Sequence, residues 1–240
     1  MIPHQPWRLL LFGATGAIGG TVLRHSLARG WSVVAASRSS EGLAGGELLR
    51  HVRHDPLHGD PRVDLADEAP FDAVCWAHGA NLEDSLLDFD VGRHRELYEV
   101  NCISVLVSAA ALVKAELLSQ TGARLTIVSS IWQERARQNK LSYTVTKAAV
   151  GGIVRSAAVD LGHAGHLVNG VLPGVLDTPM TRANLNSVQI GSIIAKTSAG
   201  RLPDLDTVAE TILFLCSAEN QSISGQSITV DLGMNNASLI

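Results

Sequence analysis

Short apolar runs alternate along this chain with longer stretches in which apolar positions recur every three or four residues. Runs of four to six apolar residues bounded by glycine or polar residues read as buried strands, and the longer periodic stretches read as helices. Strands are therefore expected at 8–12, 31–36, 49–53, 72–77, 124–129, 166–172 and 226–230, and helices at 18–29, 93–118, 142–161 and 206–217. Strand and helix in repeated turn is the pattern of an α/β fold, a doubly wound parallel sheet with helices on both faces. Residues 55–70, rich in Asp, Pro and Gly, predict a loop or a stunted helix. The polar, glycine-containing stretch 176–202 is expected to form a mobile substrate lid.

Composition narrows the class. With 240 residues, 46% hydrophobic, 18% charged and a net charge of -4, the chain suits a single soluble domain over 1–240. Cys75, Cys102 and Cys216 are widely spaced and odd in number, which argues against a disulfide framework or zinc site and for a reducing cytoplasm. Residues 1–7 lack the order of a secretory signal, and the apolar run 102–113 is too short to cross a bilayer, so no membrane partner is expected. Mild acidity with scattered basic residues gives no footprint for nucleic acid. His51, His54 and His58 fall near Asp55 and Asp60 at spacings that would align on a helix. Pro56 argues against that helix, and a strand followed by a polar loop, without metal, is the expectation.

Three places carry candidate chemistry. The first strand runs into Gly13-Ala14-Thr15-Gly16-Ala17-Ile18-Gly19-Gly20 and then a helix. Glycines there allow a tight turn and let a pyrophosphate approach amides at a helix N-terminus, although an ordinary tight turn explains the same residues. After the second strand, Ser37, Arg38, Ser39 and Ser40 stand where an acid would accept hydrogen bonds from a free ribose diol. The missing acid and the guanidinium favour the 2′-phosphate of NADP(H) over NAD(H), the alternative being a solvated loop charge. Lastly, Tyr143 and Lys147 lie one helical turn apart, with Ser130 thirteen residues earlier at a strand end. An ammonium beside the phenol would lower its pKa and leave an acid/base group working near neutral pH. Most such pairs on helices simply face solvent.

Taken together these pieces resemble a known family almost end to end: the classical short-chain dehydrogenase/reductases. The match is carried by the glycine turn 13–19, Asn101, Ser130, Tyr143-x-x-x-Lys147, Asn169-Gly170-Val171-Leu172-Pro173-Gly174, Thr178-Pro179-Met180 and the stretch 224–231. The resemblance implies a Rossmann fold and an enzyme moving hydride between nicotinamide and a carbonyl or secondary alcohol. Asn101, Ser130, Tyr143 and Lys147 would be its catalytic tetrad, Tyr143 the proton donor, Ser130 the hydrogen bond to the substrate oxygen and Asn101 the holder of a relay water. It also implies cofactor contacts from Gly13, Thr15, Gly16, Ala17, Ile18, Gly19, Ser37, Arg38, Ser39, Asp55, Gly79, Tyr143, Lys147, Pro173, Gly174 and Thr178.

The chain departs from the family pattern at named positions. Trp76-Ala77-His78-Gly79 replaces Asn-Asn-Ala-Gly, Phe12 stands where many relatives carry threonine, Ala17 replaces a glycine, and Leu232 interrupts the terminal Asp-Gly-Gly. Trp76 is expected to fill a core gap, and His78 to satisfy a loop carbonyl in preference to touching cofactor. Trp132, Gln133, Glu134, Arg135 and Arg137 border the pocket in this family and lean toward a hydroxyl-rich or anionic substrate. Helices 93–118 and 142–161 are apolar or small-residue on more than one face, which with the family habit predicts a homo-oligomer, dimer or tetramer. Two other readings stay open: a dinucleotide-sensing regulator without chemistry, which a complete tetrad disfavours, and a nucleotide-sugar-modifying enzyme, for which too little chain follows Thr178.

Overall fold

The computed structural model describes residues 6–39, 43 and 45–237. Its strands are β1 (Arg8–Phe12), β2 (Ser32–Ser37), β3 (Leu49–Arg53), β4 (Ala73–Trp76), β5 (Arg124–Val128), β6 (Leu167–Pro173) and β7 (Ser227–Val230). They form one sheet ordered β3-β2-β1-β4-β5-β6-β7, with every neighbouring pair parallel. The helices are α1 (Ala17–Ala28), α2 (Pro61–Asp64), α3 (Val91–Tyr98), α4 (Ser104–Lys114), α5 (Leu141–Gly162), α6 (Pro179–Asn184), α7 (Ser187–Ile194) and α8 (Leu205–Leu215). All seven expected strands are present, and their ends differ by no more than one residue.

Alternation within β1 shows how the layers close. Leu9 and Leu11 pack on one face with Val22 of α1 and Val208 and Ile212 of α8. Leu10 and Phe12 point to the other face, against Leu112 of α4 and Val150 and Val154 of α5. With both faces covered, a strand is apolar on both sides and reads as an unbroken run. Truncating a fully buried residue such as Leu10 to alanine would cost about 2–5 kcal/mol. Strand order reverses at β1, with β2 and β3 to one side and β4 to β7 to the other. Open α/β sheets bind ligands in the crevice beyond the carboxyl ends at such a point.

Three expectations are refined. The helix predicted over 93–118 begins earlier, capped by Asp90, whose side chain accepts from the Arg93 amide at 2.9 Å, and it is interrupted by a π-helical turn, Glu99–Ile103, before α4. A π turn inserts a residue into the helical ladder, and periodicity alone does not reveal it. The 91–114 stretch is long and apolar enough to span a bilayer, with mean hydropathy 1.5 over its best window. Leu97, Cys102, Val105 and Leu112 nevertheless lie buried in the sheet's core. Region 55–70 holds the short α2, with Asp60 as its cap, and a 3-10 turn at Ala66–Glu68, while 176–202 folds into α6 and α7. The three clustered histidines bond to three different residues: His51 to Ser37, His54 to Asp64 and His58 to Asp55.

Candidate active site

At the carboxyl ends of β1 and β4 the crevice divides into two adjoining lobes of about 610 and 730 Å³ that share Gly13, Thr15, His78 and Gly79. The smaller is lined by Phe12, Ser37, Arg38, Ser39, His54 and Asp55 among others. The larger is lined by Gly16, Ala17, Ile18, Ser130, Tyr143, Pro173, Gly174 and Thr178, together with Trp132, Arg137, Lys140 and Leu185. Sequence reasoning had named most of these. Three of its residues stand behind the walls: Gly19, Asn101 and Lys147. Ser40 lies outside the described residues, as does the side chain of Met180.

The glycine turn is built for close approach. Gly13 has φ +81°, and a Cβ there would sit 2.6 Å from the His78 amide nitrogen; one on Gly19 would lie 2.1 Å from the Gly13 carbonyl oxygen. Any side chain would push the turn off β4. Gly16 caps α1 without a side-chain hydrogen bond, and the first turn carries no acid. Free amides and the positive end of the helix dipole therefore face the crevice, as a pyrophosphate requires.

In the larger lobe the helix carrying Tyr143 and Lys147 is held at its start by Asp84. The Asp84 carboxylate accepts from the Ser142 amide at 2.9 Å and from the Ser142 hydroxyl. A buried anion at a helix N-terminus is favourable, and sequence reasoning missed it because Asp84 is remote in the chain. Ser130 caps the 3-10 turn Ile131–Gln133 after β5, its hydroxyl accepting from the Trp132 amide at 3.3 Å, and lines the lobe together with Tyr143. Lys147 Nζ lies 5.7 Å from the Tyr143 ring centroid and donates to the Val128 carbonyl at 3.2 Å. Asn101, on the π turn, accepts from the Ala80 amide at 2.8 Å and donates to the Ala80 carbonyl at 3.1 Å and to Thr146 Oγ1 at 3.0 Å. A Cβ on Gly79 would stand 3.2 Å from Asn101 Oδ1 and 3.6 Å from Lys147 Nζ, so that glycine keeps open the space joining them.

The electrostatics differ from the sequence expectation. Burial pushes the Tyr143 phenol up to about 12, only partly opposed by the Ser130 side chain. Burial also pushes the Lys147 ammonium down to about 8. Desolvation disfavours the charged form of each, and the lowering of the phenol expected from the neighbouring ammonium is not among the causes of its shift. At neutral pH the phenol is protonated.

At the smaller lobe three of the family departures, Phe12, Trp76 and His78, form one cluster, with Trp76 behind the wall. Phe12 and Trp76 face each other in register across β1 and β4 and stack at 5.9 Å with an interplanar angle of 5°. The Trp76 indole donates to Ser108 Oγ on α4 at 2.8 Å. His54 and His78 flank Phe12, with ring centroids 6.0 and 6.1 Å away. His78 pairs with Ser104 Oγ at 2.7 Å, a hydroxyl where a loop carbonyl was expected. Because the Ser104 hydroxyl donates to the Val100 carbonyl, His78 Nε2 is the donor and Nδ1 the acceptor. Burial, then the charges of Lys147 and Arg38, hold the His78 imidazole down at about 4, so it is neutral. Buried His54 Nε2 and His78 Nδ1 have no partner among the described residues. Arg38 is exposed at the rim and forms no ion pair among the described residues. Unfilled imidazole nitrogens, an unpaired guanidinium and bare helix amides are what the hydroxyls, amine and phosphates of a dinucleotide would satisfy, so the residues fit that group.

Comparison with known proteins gives a consistent picture. A family model described as enoyl-(acyl carrier protein) reductase matches residues 65–235. The chain is 27% identical over 235 residues to a 3-oxoacyl-(acyl-carrier-protein) reductase of Salmonella typhimurium, covering 94% of this chain and 96% of that one. It is 30% identical over 236 residues to a cis-4-hydroxycyclohexanecarboxylate dehydrogenase of Sinomonas cyclohexanicum, covering 92% and 93%. A gluconate 5-dehydrogenase from Burkholderia cenocepacia J2315, solved with NADP and tartrate, superposes with TM-score 0.89 at 24% identity over 98% of this chain and 97% of its own.

Proposed function

This chain belongs to the classical short-chain dehydrogenase/reductase family, oxidoreductases that work with NAD(P), and on that premise we propose an NADP(H)-dependent enzyme that interconverts a carbonyl and a secondary alcohol. The observation that carries the reading is the placement of the Ser130–Tyr143 hydroxyl pair across one crevice from the uncapped N-terminus of α1. When bound, the nicotinamide supplies a hydride in one direction and accepts it in the other.

The protein's residues do the rest. Ser130 donates a hydrogen bond to the substrate oxygen as charge gathers there. Tyr143 gives its phenolic proton to the same oxygen, and its burial keeps it protonated until needed. Lys147, close over the ring, stabilises the phenolate left behind. Asn101 acts through Thr146 and the Ala80 peptide to fix the space between itself and Lys147 through which a proton returns. Gly174, Pro173 and Thr178 form the wall facing the glycine turn, with the 176–202 segment as the lid.

Arg38 supports NADP(H) over NAD(H), because an unpaired guanidinium at the adenosine rim has a use for a 2′-phosphate and none for a free diol. NADP in the gluconate 5-dehydrogenase structure agrees with this preference. Leu106 and Val107 on α4 and Val145 and Val159 on α5 are exposed apolar residues, and they support assembly of a homo-oligomer through these helices. Light scattering should give a multiple of 25.4 kDa. Loss of dinucleotide fluorescence across a panel of carbonyl compounds tests the reaction. NADPH should be consumed at least tenfold more efficiently than NADH; no carbonyl-dependent consumption of either would defeat the proposal.

A further inference from the structure

Among the described residues the wall of the larger lobe holds Arg137 and Lys140 but no Asp or Glu. Lys140 is already committed: its buried Nζ donates to Asn81 Oδ1 at 2.9 Å and to the Leu82 carbonyl at 3.3 Å, with Glu83 at 3.4 Å. Arg137 is not. Its only hydrogen bond or ion pair among the described residues is a long one, 3.5 Å from Nη2 to the half-exposed Glu83. Its Nε is buried and has no acceptor. The guanidinium rests 6.0 Å over the Trp132 ring, which props it against the wall. The burial of Nε shuts it off from the lobe as well, so a ligand meets Arg137 at its Nη groups, on a side chain that lines the lobe and keeps 26% of its surface exposed. The end of the guanidinium, which offers an N–H from each Nη parallel and in one plane, matches a carboxylate.

We propose that the substrate carries a carboxylate, bound by Arg137 with Lys140 as a second positive charge, while its carbonyl or hydroxyl lies against Ser130 and Tyr143. Lys140 Nζ stands 6.0 Å from the Tyr143 ring centroid, so the cationic wall borders the reacting centre. Leu176 and Leu185, which line the same lobe, suit a short apolar body between the two ends. The oxo or hydroxyl end rests on the reductase reading above; the anionic end does not.

The test compares 4-oxopentanoate with its methyl ester as substrates, and follows binding of unreactive benzoate, with NADP present, by tryptophan emission and by calorimetry. The acid should be preferred at least tenfold in kcat/KM, mostly through KM. Arg137→Gln should bring the acid-to-ester ratio near one and weaken benzoate at least tenfold, and Arg137→Lys should recover part of both. Equal use of acid and ester, no benzoate binding, or equal losses for acid and ester in Arg137→Gln would overturn the proposal. Arg137-dependent benzoate binding without turnover of either ketone would sustain the anion site and count against the reductase reading.

Discussion

The two lobes of the crevice are built in different ways. In the larger, the groups proposed to react sit at fixed local spacings on single elements: Tyr143 and Lys147 one turn apart on α5, Ser130 just after β5. In the smaller, Phe12, His54, His78 and Ser104, with Trp76 and Ser108 buried behind them, come from four separate stretches and are related only through sheet register and the packing of α4. Chemistry that depends on spacing along one element changes little without loss of the reaction. A wall that depends on mutual packing tolerates replacement when its members change together, and an aromatic stack here takes the place of the family's polar residues.

The largest effect should come from breaking that stack. Trp76→Ala removes a fully buried indole and its bond to Ser108, and chemical denaturation should report a loss of about 3–5 kcal/mol. In a double-mutant cycle with Phe12→Leu, the two positions should couple by about 0.5–1.5 kcal/mol; strictly additive losses would show that the stack is not a unit. Next in size is a pH effect from the same lobe. The His78 imidazole is at about 4 in the fold and near 6.5 when unfolded, so below 6.5 the unfolded chain binds the extra proton. Stability should therefore be fullest above pH 6.5 and fall by roughly 3 kcal/mol as pH drops to 4, a slope that His78→Gln should flatten.

Smaller effects sharpen the contrast from the other side. Asp84→Ala leaves the start of α5 uncapped and should cost about 2 kcal/mol while lowering kcat with dinucleotide affinity intact, read by denaturation and steady-state kinetics. Arg38→Ala should do the reverse, weakening NADPH binding about tenfold, near 1.4 kcal/mol, with NADH binding and kcat at saturating NADPH little changed. Calorimetric titration of both cofactors reads it directly.

What the sequence made legible follows the same division. The strand ends, the turn 13–19 and the nearness of Ser130 and Tyr143 in one lobe, with Lys147 a turn along α5, were readable because period and local spacing encode them. Phe12, Trp76 and His78 could be noticed only as separate departures, since nothing along the chain states that residues 12 and 76 stand in register. Asp84, Asn81 and Lys140 gave no signal because each acts across dozens of residues. The direction of the Tyr143 shift was misjudged for a related reason: charge proximity can be read from spacing, whereas desolvation depends on the completed fold.

The central claim is that the Tyr143 phenol delivers the proton in a crevice whose dinucleotide binding is organised elsewhere. It is tested most directly by single-turnover carbonyl reduction in Tyr143→Phe at saturating NADPH, with NADPH affinity measured on the same protein. The account predicts a rate lower by about 10²–10⁴-fold with the dissociation constant within a few-fold of the parent. A rate within tenfold of the parent, or a loss explained entirely by weaker NADPH binding, would contradict it.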